Sequence, residues 1–479
     1  MSDNMSFELH LGSPLPNRQI RKGAADPFRI LVLGAFGLSS NRMPGTFSSP
    51  IHIDIDNFDA VMLRLAPSLN LSLAPLQTAL ALRFESLEDF HPDALYRHLD
   101  LFAELRTRRT RLADPKTFEA AAAEFGLITE GPAVETHASA ENDAAMLTRL
   151  LGTPQTAQAS SHSGLDGFIK SLVDPYITPD NSARQAIYIA AVDQAATVLM
   201  RNILHHPEFQ VLEASWRALH DLISQTNETV QIHIMVTDKS ALSEELLSGP
   251  LEASELYQRL ITQGIDIPGT PPWSLLLGDF SFGTTGNDVS LLAALARLAA
   301  HCGGPFIAAA DPMIIGESPS SDPGRQEQWQ RLRLSRLAPW LGLALPRVLV
   351  RLPYGTATDP IESFAFEELD EDRRHNDYLW GNPAFACAHL LCAGFQEDGW
   401  DMQPDSHLTV DDLPAHIYQA DGMPEMQACA EVYLSEREGE GLAALGFMIL
   451  LSLKGRPEAR LLRFQSIADP PAALMGAWV

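Results

Sequence analysis

The strongest constraint on the fold of this chain is a set of continuous apolar runs that end in glycine. One run, PFRILVLGAFG, spans Pro27–Gly37, and another, PPWSLLLGDFSFG, spans Pro271–Gly283. A segment that is apolar at nearly every position is typical of a strand buried on both faces of a sheet. The second run is followed by a predicted helix at Val289–Cys302 and a predicted strand at Pro305–Ala310. This β–α–β order predicts mixed sheets flanked by helices, in the α/β or α+β class.

Length and composition indicate a globular chain with more than one domain. Its 479 residues exceed the roughly 250–300 at which a single core stops growing. Hydrophobic residues make up 46% and charged residues 20% of the chain, which is the balance of a soluble protein. No apolar run reaches the roughly 18 residues of a membrane helix, and the first 16 residues lack a secretory signal pattern. We therefore expect a cytoplasmic protein with no membrane insertion.

The charge balance argues against nucleic-acid binding. The chain has 61 acidic and 34 basic residues, a net charge of −27. So acidic a surface repels the phosphate backbone of a nucleic acid, so the acidity either keeps the protein soluble or favours partners with basic faces.

The cysteines form no CxxC pair and are predicted to be reduced core residues. They are Cys302, Cys387, Cys392 and Cys429.

A change in composition marks the predicted domain boundary. Residues 126–164 are rich in Ala, Thr, Ser, Gly and Pro, as in a flexible connection. We therefore predict one domain at 1–125, a linker at 126–164 and a second domain at 165–479. Within the first domain, a helix is predicted at Pro92–Leu112. Its basic end, RTRRTR, is interpreted as a solvated helix end, with a partner-docking patch as the alternative.

No pattern of catalytic residues stands out. The motifs of phosphate-binding loops, dinucleotide-binding turns, zinc proteases and serine hydrolases do not occur. His205, His206 and Glu208 could ligate a metal, but adjacent helical residues point about 100° apart, which favours a helix end before Pro207. His301 with Cys302, and the acidic stretch FAFEELDEDRR, are interpreted as a buried structural pair and a solvated loop. The sequence thus predicts no enzyme activity, cofactor or metal.

Both terminal regions contain strand patterns. A short strand is predicted where apolar and polar residues alternate. Its apolar members are Met5, Phe7, Leu9 and Leu11. This strand either completes the sheet of another chain or pairs within its own domain. A hairpin is predicted from Leu445–Gly455 and Ala459–Ile467.

Several long motifs resemble one family in both halves of the chain. PFRILVLGAFG, IDIDNFDAVMLRL and the F-x-S-L-x-D-F-x-P element at Phe84–Pro92 resemble the small sheath subunit of type VI secretion, TssB. ILHHPEFQVLEASWRALHDLI, PWSLLLGDFSFG, LPRVLVRLPYGTATDPIESFAFEE and YLWGNPAFACAHLL resemble the large subunit, TssC. The motifs follow one another in the expected order, so the chain resembles the two subunits joined end to end.

The resemblance implies a structural role. It implies a contractile sheath that surrounds an inner tube and propels it. The implied partners are other sheath subunits, the inner tube protein, the baseplate and a hexameric recycling ATPase. It also implies that strands are exchanged between neighbouring subunits, which makes the strand at Met5–Leu11 a candidate donor.

The resemblance further suggests a contact for the recycling unfoldase in LDGFIKSL. Its apolar residues fall on one helical face, and the alternative is that they pack on the domain. These residues are Leu165, Phe168, Ile169 and Leu172.

Two features depart from the family pattern. Both subunits lie in one chain, which raises their effective concentration, and only a short tail follows Phe464–Ile467. The second feature makes a sheath paralogue that caps or regulates assembly the alternative function.

Overall fold

The computed structural model describes residues 26–37, 47, 49–73, 78–124, 181–315, 323–370, 372–420, 422–476 and 478. These residues form two compact units, and the chain passes between them more than once. The larger unit takes the described parts of Met1–Pro67, Val211–Leu352 and Leu379–Val479. The smaller unit takes the described parts of Ser68–Gln210 and Pro353–Tyr378.

The strands, in chain order, are β1 (Phe28–Gly34), β2 (Ile51–Ile53), β3 (Ser68–Leu73), β4 (Thr78–Arg83), β5 (Val230–Val236), β6 (Leu275–Phe282), β7 (Phe306–Ala310), β8 (Leu341–Leu345), β9 (Val348–Leu349), β10 (Trp380–Gly381), β11 (Thr409–Val410), β12 (Ile417–Ala420), β13 (Met423–Met426), β14 (Met448–Ser452) and β15 (Ala459–Leu461). The helices are α1 (Phe58–Leu65), α2 (Pro92–His98), α3 (Ala103–Ala113), α4 (Phe118–Glu124), α5 (Asn181–Leu204), α6 (Pro207–Ser224), α7 (Lys239–Leu247), α8 (Glu255–Tyr257), α9 (Gly286–Cys302), α10 (Pro323–Arg333), α11 (Pro383–Asp398) and α12 (Glu436–Ala444). Helix α8 continues into a π-helical segment, Gln258–Ile265.

A mixed sheet of nine described strands forms the centre of the larger unit. Its order is β11–β15–β14–β8–β7–β6–β1–β5–β2. The six strands from β14 to β5 are parallel to their neighbours, whereas β2, β15 and β11 pair antiparallel at the two edges. Helices lie in the connections between the parallel strands, because a parallel pair needs a long crossover. The predicted fold class is confirmed.

Strand β1 lies in the interior of this sheet, third from the β2 edge. It pairs in parallel with β5 from Phe28↔Val230 to Gly34↔Val236, and its other edge pairs with β6. The predicted first domain, 1–125, therefore contributes a central strand to a sheet whose other central strands come from the predicted second domain, 165–479. The compact units follow different boundaries from those two segments, because strand pairing is decided by neighbours far away along the chain.

Close packing explains the glycine in the run before Phe282. A Cβ on Gly278 would lie 2.4 Å from the ring of Phe306 on the neighbouring strand β7. The β6–β7 register shifts between Gly278 and Ser281, so β6 carries a bulge directly after the glycine. A side chain at position 278 would push the two strands apart, since both are fully packed.

The F-x-S-L-x-D-F-x-P element has a structural basis in the smaller unit. The rings of Phe84 and Phe90 stack with centroids 4.2 Å apart, and both rings contact Phe209. Asp89 accepts from the backbone N–H of Ser86 (2.9 Å), closing a capping box. Pro92 then opens α2, where its missing N–H costs nothing. The motif therefore builds a buried aromatic corner.

The helix predicted at Pro92–Leu112 is broken in the structure. Leu99 is extended (φ −81°, ψ 130°), and a short 3₁₀ turn at Asp100–Phe102 precedes α3. This break allows Phe102 to become fully buried beside Tyr96, with ring centroids 5.3 Å apart. Tertiary packing thus outweighs a continuous helical pattern.

The predicted C-terminal hairpin is present. β14 and β15 pair antiparallel, with Leu450 opposite Leu461, and β14 also joins β8 in parallel. The hairpin therefore extends the main sheet instead of standing alone.

One described helix, α5, is long and apolar enough over Arg184–Leu204 to cross a membrane by composition. About two thirds of that window (67%) is buried inside the protein. This burial is typical of the core helix of a globular unit.

Candidate assembly interface

Two site predictions lie outside the described residues. The first is the strand pattern of Met5, Phe7, Leu9 and Leu11. The second is the helical stripe of Leu165, Phe168, Ile169 and Leu172. Both remain predictions.

The histidine pair before Pro207 marks a helix end. α5 ends at Leu204 and α6 begins at Pro207. His206 Nδ1 accepts from the Glu208 N–H (3.3 Å), whereas His205 turns towards Asp377 (3.4 Å). The two imidazoles thus serve different contacts, and no group of three or more metal-ligating side chains with suitable geometry occurs among the described residues. The structural interpretation of HHPE as a helix end is confirmed.

The side chains of the candidate pair His301 and Cys302 also have separate environments. His301 Nδ1 contacts the hydroxyl of Tyr257 (3.1 Å). Cys302 is buried, and burial raises the pKa of its thiol far above the ordinary value. A buried thiol held as the neutral form is a poor nucleophile, which agrees with the prediction of a structural pair.

The acidic stretch at 364–374 is only partly solvated. Phe364 and Phe366 are buried, and the Glu368 carboxylate accepts from the buried N–H of Tyr354 (2.7 Å). Beyond this point, Arg374 and Asp370 form an exposed pair at 3.5 Å. The solvated-loop prediction is therefore wrong for the first half, where alternating aromatics fix the chain.

The arginines of the basic run RTRRTR are bonded within the smaller unit, three of them to carboxylates. Its arginines each have a partner: Arg106 with the Leu99 carbonyl, Arg108 with Glu104, Arg109 with Asp193, and Arg111 with Glu124. The solvated-end prediction is therefore wrong for Arg108 and Arg109, whose side chains are 15% and 33% exposed.

Arg109 joins the two resembling segments of the chain. Its Nε lies 2.6 Å from Asp193 Oδ1 on α5, and that carboxylate is only 8% exposed. The hydrogen bond that Arg109 donates to Asp193 raises the pKa of Arg109, so the guanidinium stays charged. Gln185 on α5 also donates to the carbonyls of Leu112 (2.7 Å) and Ala113 (2.9 Å), which satisfies the end of α3.

Two buried polar clusters brace the larger unit, and the sequence did not reveal them. Glu213 is completely buried and contacts Arg351 (2.7 Å) and Arg217 (2.8 Å). Burial opposes its ionisation, but the two guanidinium groups outweigh burial and lower the pKa of Glu213. Arg217 lies one turn along α6 from Glu213, but Arg351 is 138 residues away, so no local pattern predicts that second partner.

The second cluster surrounds Asp279, directly after Gly278. Its carboxyl contacts the Ser215 hydroxyl and the Asn382 amide (3.2 Å). Burial raises the pKa of Asp279 above its ordinary range. Ser215 can donate to the Val211 carbonyl (2.8 Å), which leaves its oxygen to accept from a protonated Asp279.

The exposed β12–β13 hairpin is the most open strand pair in the larger unit. Ile417 and Met423 are 62% and 69% exposed, and no third strand joins the pair within the described residues. The Gln427 N–H donates to the His416 carbonyl (2.9 Å). By the alternation of an antiparallel ladder, Ile417 and Pro424 then direct their backbone groups away from the hairpin.

The two outer edges of this hairpin are consequently unequal. Pro424 has no N–H, so the outer edge of β13 lacks a donor where a new strand needs one. At the corresponding outward position of β12, Ile417 has both an N–H donor and a C=O acceptor. Gly422, directly before β13, has φ +77°, a conformation that glycine adopts readily in tight hairpin turns.

Two family models match the chain in sequence order. The model described as "Type VI secretion system, VipA, VC_A0107 or Hcp2" matches residues 20–125. The model described as "EvpB/VC_A0108, tail sheath N-terminal domain" matches residues 186–468, more than half of the chain.

Two sheath proteins of Pseudomonas aeruginosa are similar in sequence. The type VI secretion system sheath protein TssC1 is 33% identical over 303 residues, which are 59% of this chain and 61% of that protein. The sheath protein TssB1 is 34% identical over 73 residues, which are 14% of this chain and 42% of that protein. The chain thus spans about three fifths and two fifths of these two relatives. It belongs to the type VI secretion sheath family, with a TssB-like segment followed by a TssC-like segment in one polypeptide.

Proposed function

We propose that this chain is a structural subunit of a contractile sheath that surrounds an inner tube and propels it, with no catalytic step of its own. The observation that carries the proposal is the pairing of β1 with β5 and β6. The TssB-like and TssC-like segments complete one sheet, so a single chain supplies the paired body of both subunits. The proposed partners are other sheath subunits, the inner tube protein and the baseplate.

Electron microscopy of the purified chain tests this function. The chain is imaged alone and after mixing with separate TssB-like and TssC-like sheath subunits. Hollow tubules from the chain alone, or tubules that incorporate it along their length, are the expected result. Particles that cap or shorten the tubules at low stoichiometry would support the regulatory paralogue instead. A chain that joins no tubule in either condition would contradict both functions.

We also propose that subunits join by strand addition, with Met5–Leu11 as the donor and the outer edge of β12 as the acceptor. The alternating apolar residues of the donor suit an edge whose exposed side chains include Ile417. Main-chain hydrogen bonds supply the affinity of such contacts, and side-chain alternation supplies the register. Proline at position 424 leaves β12 as the better edge of the hairpin.

A matched pair of variants tests the acceptor edge. Ile417→Pro removes an outward N–H without removing a hydrogen bond inside the hairpin, whereas Ile417→Thr keeps that N–H. Sedimentation of assembled sheath should fall about tenfold or more for Ile417→Pro, given the loss of roughly 1.5 kcal/mol or more per contact repeated in a polymer. Ile417→Thr should assemble normally. Equal assembly of both variants, with equal melting temperatures, would exclude β12 as the acceptor.

For recycling, we propose that the stripe Leu165, Phe168, Ile169 and Leu172 contacts a hexameric unfoldase. An apolar helical stripe suits a groove on such a partner. A fluorescent peptide of residues 161–176 should bind the ATPase, and Phe168→Asp should abolish binding. Equal binding by the Phe168→Asp peptide would refute the contact.

A further inference from the structure

A histidine pair connects the edge strand β2 to the sheet. His52 on β2 lies opposite His233 on β5, with ring centroids 5.2 Å apart in an edge-to-face arrangement. The His52 side chain is 47% exposed and lies 3.4 Å from Asp54. His233 is partly buried, and its Nδ1 is a buried atom with no hydrogen-bond partner within the described part of the protein.

The surroundings of His233 disfavour a positive charge. The ring of Trp273 packs against it at 5.2 Å, and the Arg29 guanidinium lies 4.0 Å from the centre of that indole. The charged or titratable groups around His233 are thus Arg29 on β1 and His52 on β2, while Asp54 pairs with His52. Among the described residues, no carboxylate forms an ion pair with His233. A proton on His233 would lie near the Arg29 guanidinium in a partly desolvated position.

Strand β2 is a short edge strand of the sheet. It contributes three residues, pairs only with β5 within the described residues, and its far edge borders an open cleft of about 560 Å³ against α1. By contrast, β5 is held by a seven-residue register with β1. An unfavourable charge between β2 and β5 is therefore relieved most easily by releasing β2.

We propose that β2 is an acid-released edge strand: protonation of His233 detaches β2 from β5 while the rest of the sheet stays folded. Release exposes the edge of β5, a seven-residue strand able to pair with another chain. Burial, Arg29 and His52 lower the pKa of His233 to about 4. The opened state regains the ordinary pKa of about 6.5. Because the opened state binds the proton more readily, closure is fully favoured near neutral pH and weakens as the pH falls from 6.5 towards 4.

Hydrogen exchange of the full chain at pH 7.5 and pH 5 tests this inference. After correction for intrinsic exchange rates, the amides of Ile51–Ile53, and those amides of Ile232–Ile234 that bond to β2, should lose protection about 30-fold at pH 5. The β5 amides that bond to β1 should keep theirs. The strands β7 and β8 should keep theirs. His233→Gln and His233→Phe each remove the titrating group, so the acid response of β2 should disappear in whichever variant folds.

His407→Gln provides the control. His407 belongs to the same unit, contacts Glu397 at 3.1 Å and lies outside this sheet edge, so its loss should leave the acid response of β2 unchanged. An equal loss of protection in β7 and β8, or an acid response that persists in both His233 variants, would overturn the proposal.

Discussion

At the scale of single residues, the buried ionic and polar clusters are the sites where a substitution should change the free energy of unfolding most. Glu213 is enclosed with two arginines, and Asp279 is enclosed with two neutral polar groups. Their environments shift the two pKa values in opposite directions. Cationic partners favour the charged form and lower the pKa of Glu213, whereas burial disfavours the charged form and raises the pKa of Asp279. They therefore respond to substitution in opposite ways.

Removing the Glu213 carboxylate should strongly destabilise the larger unit. Glu213→Ala leaves Arg351 buried without its counter-ion, which costs about 3–5 kcal/mol of unfolding free energy. Denaturant unfolding measures this loss. Glu440→Ala removes an exposed ion pair with Arg463 and should cost less than about 1 kcal/mol. Similar losses of unfolding free energy for both variants would show that the buried cluster stabilises the unit no more than an exposed ion pair does.

Asp279→Asn should preserve or increase stability at neutral pH. The introduced side-chain amide can donate to Ser215 and accept from Asn382, as a protonated acid does. The raised pKa of Asp279 means that the folded chain keeps a proton which the unfolded chain releases above about pH 4, so wild-type stability declines as the pH rises through that window.

The advantage of Asp279→Asn over wild type should therefore grow between pH 4.5 and pH 8 in urea unfolding. Asp279→Ala, which empties the site, should be destabilising at both pH values. An advantage that shrinks as the pH rises would contradict the assignment of a protonated carboxyl.

At the scale of elements, α12 contains two glycines in different surroundings. A Cβ on Gly441 meets no atom within 4 Å, whereas a Cβ on Gly439 lies 3.0 Å from Leu451 and 3.1 Å from Leu462. Glycine in a helix costs conformational entropy, so the exposed position can be improved.

Gly441→Ala should stabilise the chain by about 0.5–1 kcal/mol. Gly439→Ala gains the same helix propensity but must displace two core side chains, so its net stability should be lower than that of Gly441→Ala. Thermal and denaturant unfolding of the two variants compare these effects directly. A larger gain at position 439 would show that the packing around α12 is looser than the structure indicates.

At the scale of the whole molecule, the two family segments share non-covalent contacts in each unit. β1 pairs with β5 and β6 in the larger unit, and Arg109 pairs with Asp193 in the smaller one. The peptide connection between the segments is therefore not what holds them together.

A protease site inserted after Gln155 should be cleavable without separating the two fragments. Both fragments should elute together in size-exclusion chromatography at micromolar concentration, since removing β1 would leave backbone N–H and C=O groups of β5 and β6 unpaired. The additional substitution Arg109→Ala should weaken this association. Fragments that separate readily after cleavage of the otherwise unchanged chain would show that the covalent link is essential.

The sequence indicated some of the proposed assembly interface and missed the rest. Alternation suggested Met5–Leu11 as a candidate strand donor. The acceptor hairpin was not predicted, although Asp421 and Gly422 between Ile417 and Met423 form a usable hairpin signal. The inequality of its two edges depends on the hydrogen-bonded register, which the sequence does not specify by itself.

The sequence by itself determined the buried strands β1, β6 and β7, the helix α9, the α/β class and the sheath family, because apolar periodicity and motif order are local properties of the chain. Tertiary structure alone decided that β1 lies between β5 and β6, that Arg109 meets Asp193 and that Glu213 meets Arg351. A pattern shows that a side chain is buried, but its partner is chosen by packing and electrostatics among residues that are distant in sequence and close only in the folded protein.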